Sequence, residues 1–236
     1  MAPASDAPER PVRLAHRVVP GPPGSDAAPL VLLHGGGGDG STWDPFLDPL
    51  SRRGPVVVPD LRGAGRSPRR GIGSVTELRD DVLLLLDDLA LDRAVLVGHS
   101  LGALVGLLVA LERPDRVAAL VLEEPPPLEP FRLPAPARRP DDASFYEREI
   151  RPAVLAALAA PDPAWVDGLA AVSAPTLVIG GGPDSHLPQD AMARTAARLP
   201  DARFVTLSGG HLVHPHAPDA FLREVEGFLD LAQGGS

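Results

Sequence analysis

Short apolar runs alternate with longer amphipathic stretches along most of this chain, and the alternation limits the folds that it can adopt. The short runs are aliphatic, mostly rich in β-branched residues, and turn residues close each of them. Such runs predict buried parallel strands, and strands that alternate with helices predict βαβ units around a sheet covered on both faces. We predict these strands at residues 29–35, 55–60, 94–100, 117–124, 174–181 and 202–210.

The stretches between the predicted strands have the apolar spacing of helices. Residues 74–91 begin with SVTE, a capping-box sequence, and residues 101–113 are apolar almost all round, which predicts a buried helix. Residues 189–199 and 217–231 predict amphipathic helices, and the alternating residues 12–19 are typical of an antiparallel edge strand. We therefore predict an α/β fold with a mostly parallel, doubly wound sheet.

One region interrupts this alternation. Residues 123–163 are rich in proline and arginine and contain a single helix-like piece, near residues 147–160. A connection of this length inside a compact domain is typical of a functional loop or of disorder. We predict a small lid at residues 123–163, inserted into a core formed by residues 1–122 and 164–236.

The bulk composition excludes several classes of function. A chain of 236 residues fits one domain, and its formal net charge of −9 with scattered arginines makes nucleic acid an unexpected partner. The absence of cysteine excludes disulfides, thiolate metal sites and cysteine nucleophiles. No apolar run reaches the roughly 18 residues of a membrane span, and the start lacks the apolar core of a signal peptide. We expect a cytoplasmic protein without a membrane partner; its oligomeric state cannot be read from the sequence.

The pentapeptide GHSLG, Gly98 to Gly102, fits the G-x-S-x-G nucleophile elbow. Its glycines permit a sharp turn from strand to helix that raises the serine oxygen above the carboxyl edge of the sheet. The position between a predicted strand and a predicted helix favours Ser100 as a nucleophile. The alternative is a glycine-rich turn without chemistry.

A serine hydroxyl needs a general base, and His211 is the predicted one. It follows the last predicted strand, and its position after Ser100 fits the order of serine, acid and histidine along the chain that enzymes with this elbow use. His214 and His216 complete an H-x-x-H-x-H string, but no cysteine or paired carboxylate accompanies it, so we expect no metal site. For these two histidines we expect partly solvated loop positions. His34, at a strand end, is expected to brace the loop that follows it.

The base needs a carboxylate that orients it, and three acids compete for this role. Asp184 lies just beyond the strand predicted at residues 174–181, and it is the predicted triad acid. It could instead be a turn aspartate. Glu123 and Glu124 end the strand predicted at residues 117–124, whose carboxyl end faces the same edge of the sheet.

The sequence HGGGGDGSTW, starting at His34, follows the first predicted parallel strand. Glycine backbones can aim N–H groups at a developing oxyanion, so we predict one donor at Gly36, helped by Gly37, and a second at Leu101. The loop lacks the G-K-[ST] ending and the G-x-G-x-x-G pattern of nucleotide sites, and we expect no cofactor.

These ordered motifs resemble the α/β-hydrolase superfamily, in particular its serine esterases and lactonases. The resemblance rests on LVLLHGGGG, VVVPDLRGAGRS, VGHSLG, PTLVIGGGPDSHLP and GGHLVHPHAPDAFLREVEGFL, and it covers nearly the whole chain. It implies the α/β-hydrolase fold and maps the family's nucleophile, base and acid onto Ser100, His211 and Asp184. Some relatives carry the acid after the strand matched by LVLEE, which keeps Glu123 as an alternative.

The motifs together predict a serine hydrolase that cleaves a small carboxylic ester, lactone or thioester through an acyl-enzyme. Two alternatives remain: a non-hydrolytic enzyme (a lyase, perhydrolase or biosynthetic cyclase) that uses the same pocket, and a catalytically silent binding protein on this fold. Large side chains in and after the predicted lid could line an acyl pocket or serve as ordinary packing; they are Phe131, Leu133, Phe145, Tyr146 and Trp165.

Overall fold

A seven-stranded sheet forms the centre of the molecule. The computed structural model describes residues 11–132 and 144–233. The strands follow the order β1-β3-β2-β4-β5-β6-β7; β1 is antiparallel to β3 and all other neighbours are parallel. The strands are β1 (His16–Val19), β2 (Leu30–Leu33), β3 (Val56–Pro59), β4 (Ala94–His99), β5 (Val117–Glu123), β6 (Thr176–Gly180) and β7 (Ala202–Thr206). The predicted α/β fold and its antiparallel edge strand are confirmed.

Helices follow the strands as the alternation predicts. The α-helices are α1 (Leu47–Ser51), α2 (Thr76–Asp88), α3 (Leu101–Glu112), α4 (Arg151–Ala159), α5 (Pro163–Gly168), α6 (Gln189–Ala196), α7 (Val213–His216) and α8 (Pro218–Gln233). Segments of 3₁₀-helix span Gly40–Phe46, Pro114–Arg116, Leu169–Ala171 and Gly182–Asp184, and a π-helical turn spans Tyr146–Ile150.

Two hydrophobic clusters cover the two faces of the sheet. Successive residues of β2 alternate between them: Val31 and Leu33 pack with α2 and α3, whereas Leu30 and Leu32 pack with Trp43 and the α8 side. This alternation follows from the pleat of a strand, whose side chains point to opposite faces. Both faces are buried, which explains why the strands read as continuous apolar runs.

The carboxyl ends of the central strands meet at one edge of the sheet. His99 of β4 pairs with Glu123 of β5, and Glu123 pairs with Ile179 of β6. Whatever follows these three strands is therefore brought together, since parallel strands in register end side by side. The candidate site lies at this edge.

The predicted lid is described in part. Residues 133–143, including Leu133, lie outside the described residues, and the division of the chain into core and lid stays a prediction. The described part contains the π-helical turn and α4, whose Ile150, Val154 and Leu158 are buried in the same cluster as α2 and α3. Within residues 11–132 and 144–233, no helix combines the length and apolar character needed to cross a membrane.

Helix α3 passes so close to β2 that one position accepts only glycine. A Cβ built on Gly102 would lie 2.2 Å from the Leu33 carbonyl oxygen, whereas one on Gly106 would meet its nearest neighbour at 3.7 Å. We expect Gly102→Ala to lower the free energy of unfolding by about 1–3 kcal/mol because the backbone of the helix or the strand must shift. Gly106→Ala should raise it by up to about 1 kcal/mol, since alanine favours helix.

Urea denaturation of the two variants checks this prediction, because each adds one methyl group to the same buried helix. Equal effects of the two substitutions would contradict the proposed close approach of α3 and β2.

Candidate active site

Ser100 occupies a strained turn between β4 and α3. Its backbone has φ 51° and ψ −112°, a conformation that residues other than glycine rarely adopt. A Cβ built on Gly98 would lie 2.4 Å from the Gly102 carbonyl oxygen, so the turn requires glycine at that position. The Ser100 N–H donates to the Glu123 carbonyl at 2.9 Å, which ties the turn to β5. The predicted elbow sequence thus forms a sharp turn from strand to helix.

His211 approaches Ser100 from the loop after β7. His211 Nε2 lies 3.0 Å from Ser100 Oγ, within hydrogen-bond distance. The loop reaches this place through Gly209 and Gly210, which have φ values of 156° and 61°. The structure therefore brings together the predicted nucleophile and the predicted base.

The carboxylate on the other side of His211 belongs to Glu124. Glu124 Oε2 lies 3.1 Å from His211 Nδ1, and the glutamate side chain is fully buried. Its Oε1 accepts from the Gly181 N–H at 2.5 Å and from Gln189 Nε2 at 2.9 Å, and the Ser185 hydroxyl donates to Oε2. Burial raises the pKa of Glu124, but the hydrogen bonds from His211, Ser185, Gln189 and Gly181 outweigh it and hold the pKa below its ordinary value.

The prediction of Asp184 as the acid that orients His211 needs correction. Asp184 ends the 3₁₀ turn after β6, its side chain is exposed, and its carboxylate makes no hydrogen bond among the described residues. The physical reason is the backbone of Glu124, whose φ of 49° turns the chain at the end of β5. The segment that was expected to supply the acid supplies instead the donors from Gly181, Ser185 and Gln189.

Glu123 and His214 form a second acid–histidine pair, fully inside the protein. The Glu123 carboxylate lies 2.8 Å from His214 Nδ1 and accepts the His214 backbone N–H at 2.9 Å. The His214 ring also stacks on Trp43, with centroids 4.5 Å apart. The expectation of a partly solvated His214 is wrong, because the side chain is only 3% exposed; His216 is exposed, as expected. This pair anchors the loop that carries His211.

Two further buried histidines brace the loops around Ser100. His99 Nε2 donates to the His211 carbonyl at 2.7 Å. His34 Nε2 accepts the Leu61 N–H at 2.9 Å, which leaves Nδ1–H to donate to the Gly35 carbonyl at 2.8 Å. The sequence-based expectation that His34 braces its loop is confirmed.

Burial lowers the pKa of both His34 and His99. In the unfolded chain these histidines bind protons at the ordinary histidine pKa of about 6.5, whereas in the folded chain they bind protons only at a lower pH. Acid therefore favours unfolding. We expect the free energy of unfolding to keep its full contribution from these histidines above about pH 6.5. As the pH drops below that value, the free energy of unfolding should decrease by up to about 1.4 kcal/mol per pH unit for each histidine.

Urea denaturation between pH 7.5 and 5.5 measures the slope, and His99→Gln should remove the contribution of one histidine. A stability that stays level or rises on acidification would contradict this prediction.

Of the two predicted oxyanion donors, Leu101 directly follows Ser100, and Gly36 lines the same cavity as Leu101. Leu101 is the first residue of α3, so its N–H has no carbonyl one turn earlier in the helix. Gly36 follows β2 and is exposed, in a turn closed by the bond from the Gly38 N–H to the Gly35 carbonyl at 3.2 Å. Both Gly36 and Leu101 line one cavity of about 380 Å³.

The cavity lies between the glycine loop and the described part of the predicted lid. Its walls come from the glycine loop, the loop after β3, the start of α3 and the π-helical turn. They include Gly37, Thr42, Leu61, Gly63, Arg69, Phe145, Tyr146 and Ile150. Of the predicted acyl-pocket side chains, Phe145 and Tyr146 line this cavity; Phe131 and Trp165 pack against the hydrophobic cluster on the α2 and α3 side of the sheet.

Comparison with known proteins places the chain among proteins of this architecture. A solved hydrolase from Pseudomonas aeruginosa PA01 is 28% identical with a TM-score of 0.72, and the match covers 92% of this chain and 94% of that one. The enol-lactonase from Burkholderia xenovorans LB400 is 26% identical with a TM-score of 0.72, covering 92% of this chain and 96% of that one.

A curated relative and a family model extend this likeness. The protein named "Putative carbamate hydrolase RutD" from Caulobacter sp. (strain K31) is 30% identical over 253 residues, which cover 89% of this chain and 94% of that protein. The family model described as "alpha/beta hydrolase fold" matches residues 28–160. The chain belongs to the α/β-hydrolase family.

Proposed function

We propose that this protein is a serine hydrolase that cleaves a small carboxylic ester, lactone or thioester through an acyl-enzyme. One observation carries the proposal: Ser100 Oγ, the His211 imidazole and the Glu124 carboxylate form a continuous hydrogen-bonded chain at 3.0 and 3.1 Å. Nucleophile, base and orienting acid in this arrangement activate serine for acyl transfer in unrelated folds.

The first half of the proposed reaction forms the acyl-enzyme. His211 Nε2 accepts the proton of Ser100 Oγ while the oxygen attacks the substrate carbonyl, and Glu124 holds Nδ1–H and stabilises the imidazolium. The Gly36 and Leu101 N–H groups are the proposed donors to the tetrahedral oxyanion. His211 then returns the proton to the leaving oxygen or sulfur as the carbon–heteroatom bond breaks.

The second half releases the acid. His211 takes a proton from a water molecule, the resulting hydroxide attacks the acyl carbon, and the Ser100 oxygen leaves with the proton that His211 returns. Apart from the substrate and this water molecule, every group in the proposed cycle is a residue of the chain. The same chemistry extends to the carbonyl of a carbamate, the substrate class in the name of the Caulobacter relative.

A fluorophosphonate probe tests the proposal, since phosphonylation requires a serine activated in this way. We expect the probe to add to Ser100 alone, found by mass spectrometry of the peptides, and to abolish turnover of activated short-chain esters in proportion to labelling. A protein with an unlabelled Ser100 and no turnover of esters, lactones or carbamates would overturn the proposal and favour the binding-protein alternative.

A further inference from the structure

Tyr146, in the described part of the predicted lid, packs against Gly36 and Gly37 of the glycine loop that follows β2. A Cβ built on Gly36 would lie 2.2 Å from Tyr146 Oη, and one on Gly37 would lie 3.6 Å from Tyr146 Cδ1. The phenol oxygen therefore lies against the residue that carries a proposed oxyanion donor. The glycine at position 36 leaves the space that this hydroxyl occupies.

The Tyr146 hydroxyl makes no hydrogen bond to any described residue, although the side chain is half-buried and lines the cavity. Burial raises the pKa of Tyr146 to about 12, so the phenol stays protonated and remains a donor near neutral pH. A polar group in a partly buried place without a protein partner is available to bind a ligand.

The position of the cavity indicates which half of a substrate it receives. His211 must return a proton to the leaving group, so the leaving group lies on the His211 side of Ser100. The described residues that line the cavity include Gly36 and Leu101, but neither Ser100 nor His211. The cavity therefore begins at the proposed oxyanion donors and extends away from the base, and we assign it to the acyl group rather than to the leaving group.

We propose that Tyr146 is a specificity-determining residue whose hydroxyl donates a hydrogen bond to an oxygen of the acyl group, next to the reacting carbonyl. This rests on the proposed serine hydrolase function. It selects alkoxy-, hydroxy- or oxo-substituted acyl groups over plain hydrocarbon chains, because a hydrocarbon chain would cover the phenol oxygen without replacing its hydrogen bond to water.

The test compares two activated esters of matched size, 4-nitrophenyl methoxyacetate and 4-nitrophenyl butyrate, which differ by an ether oxygen in place of one methylene. Tyr146→Phe removes only the hydroxyl. We expect kcat/KM for the methoxyacetate to fall about fivefold, the size of one neutral hydrogen bond, and kcat/KM for the butyrate to stay the same or rise. Each ratio is taken against the wild type on the same ester, so the intrinsic reactivities of the esters cancel.

The pattern across the two esters decides the outcome. An equal fall in kcat/KM on both esters would mean that the hydroxyl donates to the oxyanion. An unchanged kcat/KM on both esters would mean that the Tyr146 hydroxyl does not contact the acyl group. Either result overturns the proposal. Active enzyme is counted by fluorophosphonate labelling of Ser100 in both proteins. If the wild type neither labels nor hydrolyses either ester, the proposed function itself fails and this inference falls with it.

Discussion

Ser100→Ala is expected to lower the turnover of an activated short-chain ester by about a million-fold while the thermal melting temperature stays near that of the wild type. Without the Ser100 oxygen there is no side-chain nucleophile for His211 to activate. A water molecule in its place would not be held at the fixed distance of 3.0 Å from His211 Nε2 that the Ser100 oxygen has. The substitution removes one half-buried hydroxyl and leaves the packing of β4 and α3 intact, so the free energy of unfolding should change little.

Backbone strain at Ser100 provides a second readout. Its φ of 51° costs about 1 kcal/mol or more in any residue with a Cβ, including alanine, but glycine adopts it freely. Ser100→Gly should therefore be as inactive as Ser100→Ala and yet melt at a higher temperature. Residual turnover within tenfold of the wild type in either variant would contradict a nucleophilic role. A lower melting temperature for the glycine variant would contradict the strain.

The sequence is sufficient to predict the sheet and the edge where the site lies. Buried parallel strands are nearly continuous apolar runs, and such runs here match the observed strands within one or two residues at most ends. Because parallel strands end at a common edge, the positions of Ser100 after β4 and of His211 after β7 were sufficient to predict that the two would meet. Their separation along the chain did not matter to that inference.

The identity of the acid depends on local backbone geometry that the sequence does not encode in a simple pattern. Glu123 and Glu124 are adjacent, and the alternation of a strand points one to each side. Glu124 has a positive φ, but the residue is neither glycine nor asparagine, the types that usually indicate this conformation in a sequence. The spacing from Gly181 to Asp184 therefore favoured a carboxylate that does not contact His211, while the two adjacent acids were the one signal for the carboxylate that does.

The buried pair of Glu123 and His214 was missed for a related reason. A histidine in a loop sequence such as HLVHPH gives no sign of burial, since burial of this polar ring depends on the carboxylate of Glu123 and the ring of Trp43. The structure shows a consistent arrangement: two adjacent glutamates bind two histidines that are three residues apart, His211 in the loop after β7 and His214 in α7. The outer pair belongs to the proposed triad and the inner pair fixes the loop.

Glu124→Gln and Asp184→Asn together test which acid orients the base. Each replaces a carboxylate by an amide of nearly the same size, so packing changes little in either variant. We expect Glu124→Gln to lower kcat by about 10³–10⁴, because an amide cannot stabilise the imidazolium and its NH₂ group opposes the tautomer that His211 needs. Asp184→Asn should stay within about twofold of the wild type, since its side chain is exposed and makes no hydrogen bond to a described residue.

Steady-state kinetics on one activated ester, with active sites counted by fluorophosphonate, separates the two carboxylates. The expected loss in Glu124→Gln lies in kcat, because the charge that Glu124 stabilises on His211 develops only in the transition state. A loss confined to KM in Glu124→Gln would contradict its role in stabilising the imidazolium. A larger loss in Asp184→Asn than in Glu124→Gln would mean that the loop after β6 moves on substrate binding and brings Asp184 to His211. In that case the bonds from Gly181, Ser185 and Gln189 to Glu124 would have to break during turnover, since these donors lie in the segment that would move.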